Sequence, residues 1–98
     1  MTGMDLQFSG EMWSWRGPSP FHFITVPDAG CEELHDVSSL VSYGWGMIPA
    51  TAEIGGTRWT TSLFPKDGRY LVPVRDFVRK AERLEIGAMV TVSLTVDA

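Results

Sequence analysis

The chain has 98 residues, of which 44% are hydrophobic and 20% are charged, and this balance is typical of one small globular domain. The composition excludes intrinsic disorder, and no apolar run is long enough to span a bilayer. The net charge of −4 disfavours general binding to phosphate backbones. The single cysteine, Cys31, cannot form an internal disulfide, and no signal peptide is visible. We therefore expect one cytoplasmic, non-membrane domain over residues 1–98.

The first half of the chain predicts strands followed by a helix. Residues 6–15 alternate loosely between apolar and polar side chains, which predicts one or two strands. Residues 16–20 are rich in Gly and Pro and predict a loop, and residues 21–26 predict the next strand. Asp28 is then a candidate N-cap. The apolar face of the helix that follows holds Cys31, Leu34, Val37 and Leu40.

The middle of the chain predicts a hairpin about Gly55 and Gly56, which can adopt the positive φ that a two-residue turn requires. Pairing outward from this turn places opposite charges together on one face and apolar side chains on the other. The predicted partners are Ile54 with Thr57, Glu53 with Arg58, Ala52 with Trp59, Thr51 with Thr60, and Ile48 with Leu63. Residues 65–68 predict a second turn, and residues 69–72 the strand that leaves it.

Residues 74–84 change to a helical period, and Gly87 is expected to break the helix before a strand over residues 89–96. The apolar stripe of this helix comprises Val74, Phe77, Val78, Ala81 and Leu84. We expect one interior that contains Trp59, Leu63, Phe77, Val78, Ala81, Val90, Val92 and Leu94.

The two halves of the chain share an outline of strand, proline, helix, glycine and strand, although few residues match. The predicted fold class is mainly β with two short helices. The predicted architecture is a small closed barrel whose pseudo-two-fold halves are each a strand–helix–strand unit.

Several motifs fall in order along nearly the whole chain. They are residues 45–49 (WGMIP), 54–57 (IGGT), 59–65 (WTTSLFP), 68–74 (GRYLVPV), 78–81 (VRKA) and 84–87 (LEIG). These motifs resemble the bacterial and archaeal domain-of-unknown-function family nineteen-oh-five. The resemblance implies a closed barrel of the double-split kind with short helices, and it implies no established activity. The chain departs from the family at Ala88, where relatives usually carry Asp.

A fainter similarity connects the chain with the hairpin module of AbrB- and MazE-like transcription factors. It rests on Val72, Pro73, Val78, Arg79, Leu84, Ile86, Gly87 and Val90. Those proteins pair two short chains in one barrel and place arginines on DNA. The similarity implies a dimeric nucleic-acid-binding protein as the alternative function, although shared fold does not carry function.

The candidate ligand-binding residues are mostly arginines. Arg75, Arg79 and Arg83 are spaced by four and would form a ridge on one helix face, where guanidinium groups could bind an anion. Arg58 and Ser62, which face outward on the hairpin strand, complete the set. The alternative for the ridge is a solvated face, or one docked on the first helix at Glu32, Glu33 or Asp36.

Other candidate sites are weaker. Cys31 and His35 share a helix face, but a metal site needs a further ligand, and only His22 is available. We expect Cys31 to be a buried thiol and His35 a surface residue. The tryptophans are expected mainly in the core, with Trp13 and Trp15 as the exceptions.

The sequence therefore favours a binding or interaction module that has no catalytic residues, metal or cofactor. Its partner is an unidentified small molecule, with anions among the candidates, or a protein. Nucleic acid is disfavoured by the net charge. The expected state is a monomer or a homodimer.

Overall fold

The computed structural model describes residues 3–15, 21–41 and 46–97. In these residues the strands and helices are, in chain order, β1 (Gly3–Trp15), β2 (Phe21–Thr25), α1 (Asp28–Val41), β3 (Ile48–Ile54), β4 (Thr57–Lys66), β5 (Arg69–Val74), α2 (Asp76–Ala81) and β6 (Met89–Asp97). The strands close a barrel in the order β1-β2-β5-β4-β3-β6, and all neighbours are antiparallel. The predicted mainly-β barrel with two short helices is confirmed.

The barrel has an internal two-fold relation. Each half of the chain runs strand, strand, helix, strand, as β1-β2-α1-β3 and then β4-β5-α2-β6. Exchanging β1 with β4, β2 with β5 and β3 with β6 leaves every neighbour relation in the barrel unchanged. The predicted pseudo-two-fold repeat is confirmed, and it includes one more strand in each half than the strand–helix–strand unit.

Both long strands change partner part-way along. β1 pairs with β6 over residues 3–11 and with β2 over residues 12–15. β4 pairs with β3 over residues 57–63 and with β5 over residues 64–66. A split therefore opens between β1 and β2 where their pairing ends at Met12. A second split opens between β4 and β5 where their pairing ends at Phe64.

The central hairpin has the predicted register at every predicted pair. Gly55 has φ of 58°, and the Arg58 Nη2 atom lies 3.2 Å from the Glu53 Oε1 atom across the strands. Asp67 and Gly68, with φ of 52° and 79°, form the second turn as two consecutive left-handed residues. Turn chemistry and cross-strand pairing agree here, and that agreement fixes the register.

The core fills the barrel, and most of the predicted interior is found there. Trp59, Leu63, Val78 and the alternating β6 residues are buried, as are Cys31 and Leu34 of α1. The side chains of Val37 and Leu40, and the whole of Trp45, lie outside the described residues. Within the described ranges, no helix is long and apolar enough to cross a membrane.

The predicted stripe of the second helix is wrong in its extent. Val74 belongs to β5, and α2 spans only Asp76–Ala81, with Val78 as its buried residue. Arg83 has φ of 53°, which is left-handed backbone that a continuing helix does not adopt. Within this six-residue helix, Phe77 and Ala81 are exposed.

Replacing Phe77 with alanine should therefore lower the free energy of unfolding by less than about 1 kcal/mol, because the side chain is exposed. The comparison variant is Val78→Ala, which removes a buried side chain of the same helix and should cost about 2 kcal/mol. Urea denaturation of both variants measures the difference. A Phe77→Ala loss as large as the Val78→Ala loss would place Phe77 back in the core.

Candidate functional site

An open groove of about 1460 Å³ lies outside the barrel, over β2, β5, β4 and the start of α2. We call it the aromatic groove, because Trp15, Phe21, Phe64 and Phe77 line it and are 45%, 60%, 47% and 53% exposed. Large exposed apolar groups that gather in one place mark ligand or partner sites in soluble proteins. The aromatic groove is therefore the candidate functional site.

Strand alternation places the aromatic residues on one outer face. Met12 and Ile24 pair and point inward, so the neighbouring pairs, Trp13 with Phe23 and Trp15 with Phe21, point outward. The outer row continues on β5, where Pro73 lies opposite Phe23. It reaches β4 through the pairing of Leu71 with Phe64. Four strands thus contribute to one apolar surface.

Contacts between the aromatic side chains hold part of this surface in place. The Phe23 ring lies 5.3 Å from the Trp13 ring and 6.5 Å from the Phe21 ring, measured between centroids. The Trp13 Nε1 atom donates to the Thr25 Oγ1 atom at 2.9 Å. A ligand would therefore meet rings that are already positioned, which reduces the entropy lost on binding.

Two cations flank the aromatic rings. The Lys66 Nζ atom lies 4.6 Å from the centroid of the Trp15 ring, and Arg75 and Asp76 line the groove at the start of α2. Asp76 accepts a hydrogen bond from the Arg79 Nη2 atom at 3.1 Å. This bond, together with the charge of Arg79, lowers the pKa of Asp76 below its ordinary value.

The charge of Asp76 is therefore already compensated by Arg79. Within residues 3–15, 21–41 and 46–97, neither Lys66 nor Arg75 has a carboxylate at ion-pair distance. The groove thus combines an apolar wall with two positive charges that are available to an anionic ligand.

The predicted arginine ridge is not formed on one helix face. Arg75 precedes α2 in extended conformation, Arg79 lies inside it, and Arg83 follows its end. Arg79 pairs with Asp76 of its own helix rather than with Glu32, Glu33 or Asp36.

Of the five predicted ligand residues, the groove brings together two. Arg75 and Ser62 line it, whereas Arg58, Arg79 and Arg83 lie outside the lining. Arg58 is paired with Glu53 on the hairpin.

Cys31 and His35 contribute to the fold. Cys31 is buried, and its Sγ atom donates to the Val26 carbonyl at 3.2 Å. His35 is exposed, with its Nε2 atom 3.4 Å from the Gly68 carbonyl and its ring 5.2 Å from that of Tyr70. His22 lines the groove. In the part of the chain that the structure describes, no group of three or more His, Cys, Asp or Glu residues is placed to bind a metal ion.

Sequence reasoning found part of the aromatic set. Trp15 is exposed and Trp13 half-buried, as predicted, and Trp59 is buried, as predicted. The sequence does not distinguish Phe21 and Phe64 as groove residues, and the prediction that Phe77 lies in the core is wrong. The available signal was the alternation in β2, which directs Phe21 and Phe23 to the face opposite the buried Ile24.

Comparison with known families locates the groove within a recognised domain. The model of a family described as a domain of unknown function (DUF1905) matches residues 8–94. The chain belongs to the DUF1905 family. No curated protein matches the chain significantly.

All residues that line the groove fall inside the matched range, so the groove is part of the DUF1905 domain itself. Ala88 lies in a turn that backbone hydrogen bonds hold. Its N–H donates to the Glu85 carbonyl at 3.1 Å, and its carbonyl accepts from the Met12 N–H at 3.0 Å.

Proposed function

We propose that this DUF1905 domain is a binding module whose site is the aromatic groove, and that its ligand combines an apolar or planar body with an anionic group. The observation that carries the proposal is the gathering of four exposed aromatic side chains around Lys66 and Arg75. Cross-strand aromatic pairs such as Trp15 with Phe21 stabilise a sheet only modestly, and a binding role accounts for the gathering of exposed rings from four elements.

The two parts of the ligand serve different purposes. An apolar body that covers 100 Å² of ring surface would gain roughly 2.5 kcal/mol from burial, at about 25 cal/mol per Å². An anionic group at Lys66 or at Arg75 would fix the orientation of the ligand through charge-assisted hydrogen bonds. Affinity would therefore come mainly from the rings, and specificity from the cations.

Neither catalysis nor a cofactor is part of the proposal. Asp76, His22 and Ser62 line the groove, and the Asp76 carboxylate accepts a hydrogen bond from Arg79. A cytoplasmic location is part of the proposal, and the buried thiol of Cys31 supports it.

Anilinonaphthalene sulfonate, an aromatic anion, should bind in the groove and gain fluorescence. The variants Phe77→Ala and Arg75→Ala should each weaken this binding about fivefold, since each removes a contact of roughly 1 kcal/mol. The matched controls are Ile86→Ala and Arg58→Ala, which alter an exposed apolar residue and an arginine outside the groove. Fluorescence titration gives the dissociation constants. Equal effects of the groove and control variants would contradict the proposal.

Nucleic-acid binding is the second candidate, because bases stack on exposed aromatic rings beside cations. The net charge of −4 disfavours it, and one chain closes the barrel without a partner. Fluorescence anisotropy with a single-stranded and a duplex oligonucleotide, at about 50 and about 200 mM salt, separates the two functions. Binding that falls steeply with salt would favour nucleic acid, whereas binding of the sulfonate alone favours the groove ligand.

A further inference from the structure

The aromatic groove coincides with the split between β4 and β5. Pairing between these strands ends with Phe64 opposite Leu71. Continued in the same register, it would place Ser62 opposite Pro73 and Thr60 opposite Arg75. The lining residues of the groove include all four, so the groove fills the place where this ladder would continue.

The chain itself prevents the ladder from continuing. Pro73 has no N–H to donate, and its carbonyl accepts from the Trp59 Nε1 atom at 3.3 Å. Arg75 leaves the strand as the residue that precedes α2. β5 therefore offers β4 no further backbone partner at this point.

The register of the central hairpin shows which backbone groups of β4 face the split. Its two-residue turn makes Ile54 and Thr57 a hydrogen-bonded pair, and hydrogen bonding to β3 then falls on every second residue. Trp59 and Thr61 thus direct their backbone groups to β3. Thr60 directs its N–H and carbonyl away from β3, into the split.

We propose that the occupant of the groove is an extended acidic peptide segment that adds antiparallel to β4 at Thr60. This inference rests on the proposed function and names its ligand. An extended peptide supplies the alternating donors and acceptors that a strand edge requires. The guest residue that pairs with Thr60 would point its side chain outward, as Thr60 does, because directly paired residues share a face. Every second residue of the guest strand would point the same way.

Charge selects the acidic peptide among possible segments. The guest strand would lie in the groove that Phe64, Phe77, Lys66 and Arg75 line. The sequence pattern that matches this surface is acidic, small, aromatic, small, acidic. The acidic and aromatic side chains then point outward and the small ones inward. A basic segment would place like charges together without compensation.

Amide hydrogen exchange followed by NMR tests the accessibility of this edge of β4. In the unliganded protein, the N–H groups of Trp59 and Thr61 should exchange slowly, and that of Thr60 at least tenfold faster. Saturation with the peptide should slow exchange at Thr60 at least tenfold. Protection of Thr60 equal to that of Trp59 in the unliganded protein would overturn the inference, because the edge would already be occupied.

The peptide is an acetylated and amidated pentapeptide with the sequence Glu-Ala-Phe-Ala-Glu. N-methylation of its phenylalanine should weaken binding about tenfold or more, since that N–H faces β4. N-methylation of both alanines should change affinity less than about threefold, since their N–H groups face away from β4. Replacing both glutamates with lysine should weaken binding at least about fivefold.

The outcomes separate this inference from the proposed function. Binding of the sulfonate probe without binding of the peptide at millimolar concentration overturns the peptide alone. Binding of neither overturns both. Equal losses of affinity for the two N-methylated peptides also overturn strand addition, because binding without backbone pairing would not depend on which N–H groups are methylated. A dimer in sedimentation experiments that the peptide does not dissociate would assign the edge to a second copy of the chain.

Discussion

Replacing Trp59 with alanine should lower the free energy of unfolding by about 3–5 kcal/mol, the largest effect that we expect from a single change. Trp59 is 5% exposed, and it lies on the inner face of β4 opposite Ala52. Its Nε1 atom donates to the Pro73 carbonyl and so bridges the split between β4 and β5. The variant would lose core volume and leave that carbonyl without its donor.

Trp59→Phe separates these two contributions, because it keeps an aromatic ring and removes the donor. It should lose about 1–2 kcal/mol, and urea denaturation of both variants gives the two values. A loss below about 1 kcal/mol for Trp59→Ala would show that the indole does not pack in the core. A Trp59→Phe variant as stable as the original protein would show that the bridge to Pro73 contributes nothing.

Gly10→Ala should destabilise the barrel by about 1–3 kcal/mol. Gly10 precedes the point where β1 changes partner from β6 to β2. A Cβ atom there would lie 2.9 Å from the Ile24 Cγ2 atom and 2.9 Å from the Thr25 carbonyl oxygen. Because the second contact is with backbone, β2 would have to move away from β1.

The matched control is Gly56→Ala. Apart from Gly56 itself and its two chain neighbours, no atom of the described residues lies within 4 Å of the position where its Cβ would be. Its φ is not positive, since among the glycines of the described residues only Gly46, Gly55, Gly68 and Gly87 have positive φ. This variant should be neutral, or more stable by up to about 1 kcal/mol. Thermal denaturation of the pair checks the prediction, and a Gly10→Ala protein as stable as the control would contradict the close approach of the strands.

The elements with local determinants could be predicted from the sequence. The hairpin register follows from Gly55, Gly56 and the pairing of Glu53 with Arg58, all within a few residues of one another. The period-two pattern of β6 likewise reports a strand with one buried face. The two-fold outline was visible because strand, proline, helix and glycine recur in the same order.

The short second helix could not be predicted from periodicity. Residues 74–84 fit a helical stripe, yet Val74 pairs with His22 in the barrel and Arg83 adopts left-handed backbone. Pairing with β2 holds Val74 in the sheet, so the helix begins after it. The left-handed backbone of Arg83 ends the helical segment before the chain reaches β6. Phe77, which fits the stripe, is consequently on the outside.

The aromatic groove could be predicted only in fragments. Its rings come from β1, β2, β4 and the start of α2, and their proximity depends on the strand order rather than on spacing along the chain. Trp15 was a recognisable candidate because it borders residues 16–20, whose Gly and Pro predict a loop and which lie outside the described residues. In the sequence, Phe64 cannot be distinguished from any other outward-facing strand residue, because its place in the groove depends on which strand lies beside β4.

The position of β6 in the barrel has a consequence for biosynthesis. β6 pairs with β1 over residues 3–11 and also with β3, so it joins the two ends of the sheet. It is the last strand of the domain to leave the ribosome. Until it is complete, β1 and β3 present free edges that can pair with other nascent chains. A chain interrupted before Met89 should therefore depend on chaperones to remain unaggregated.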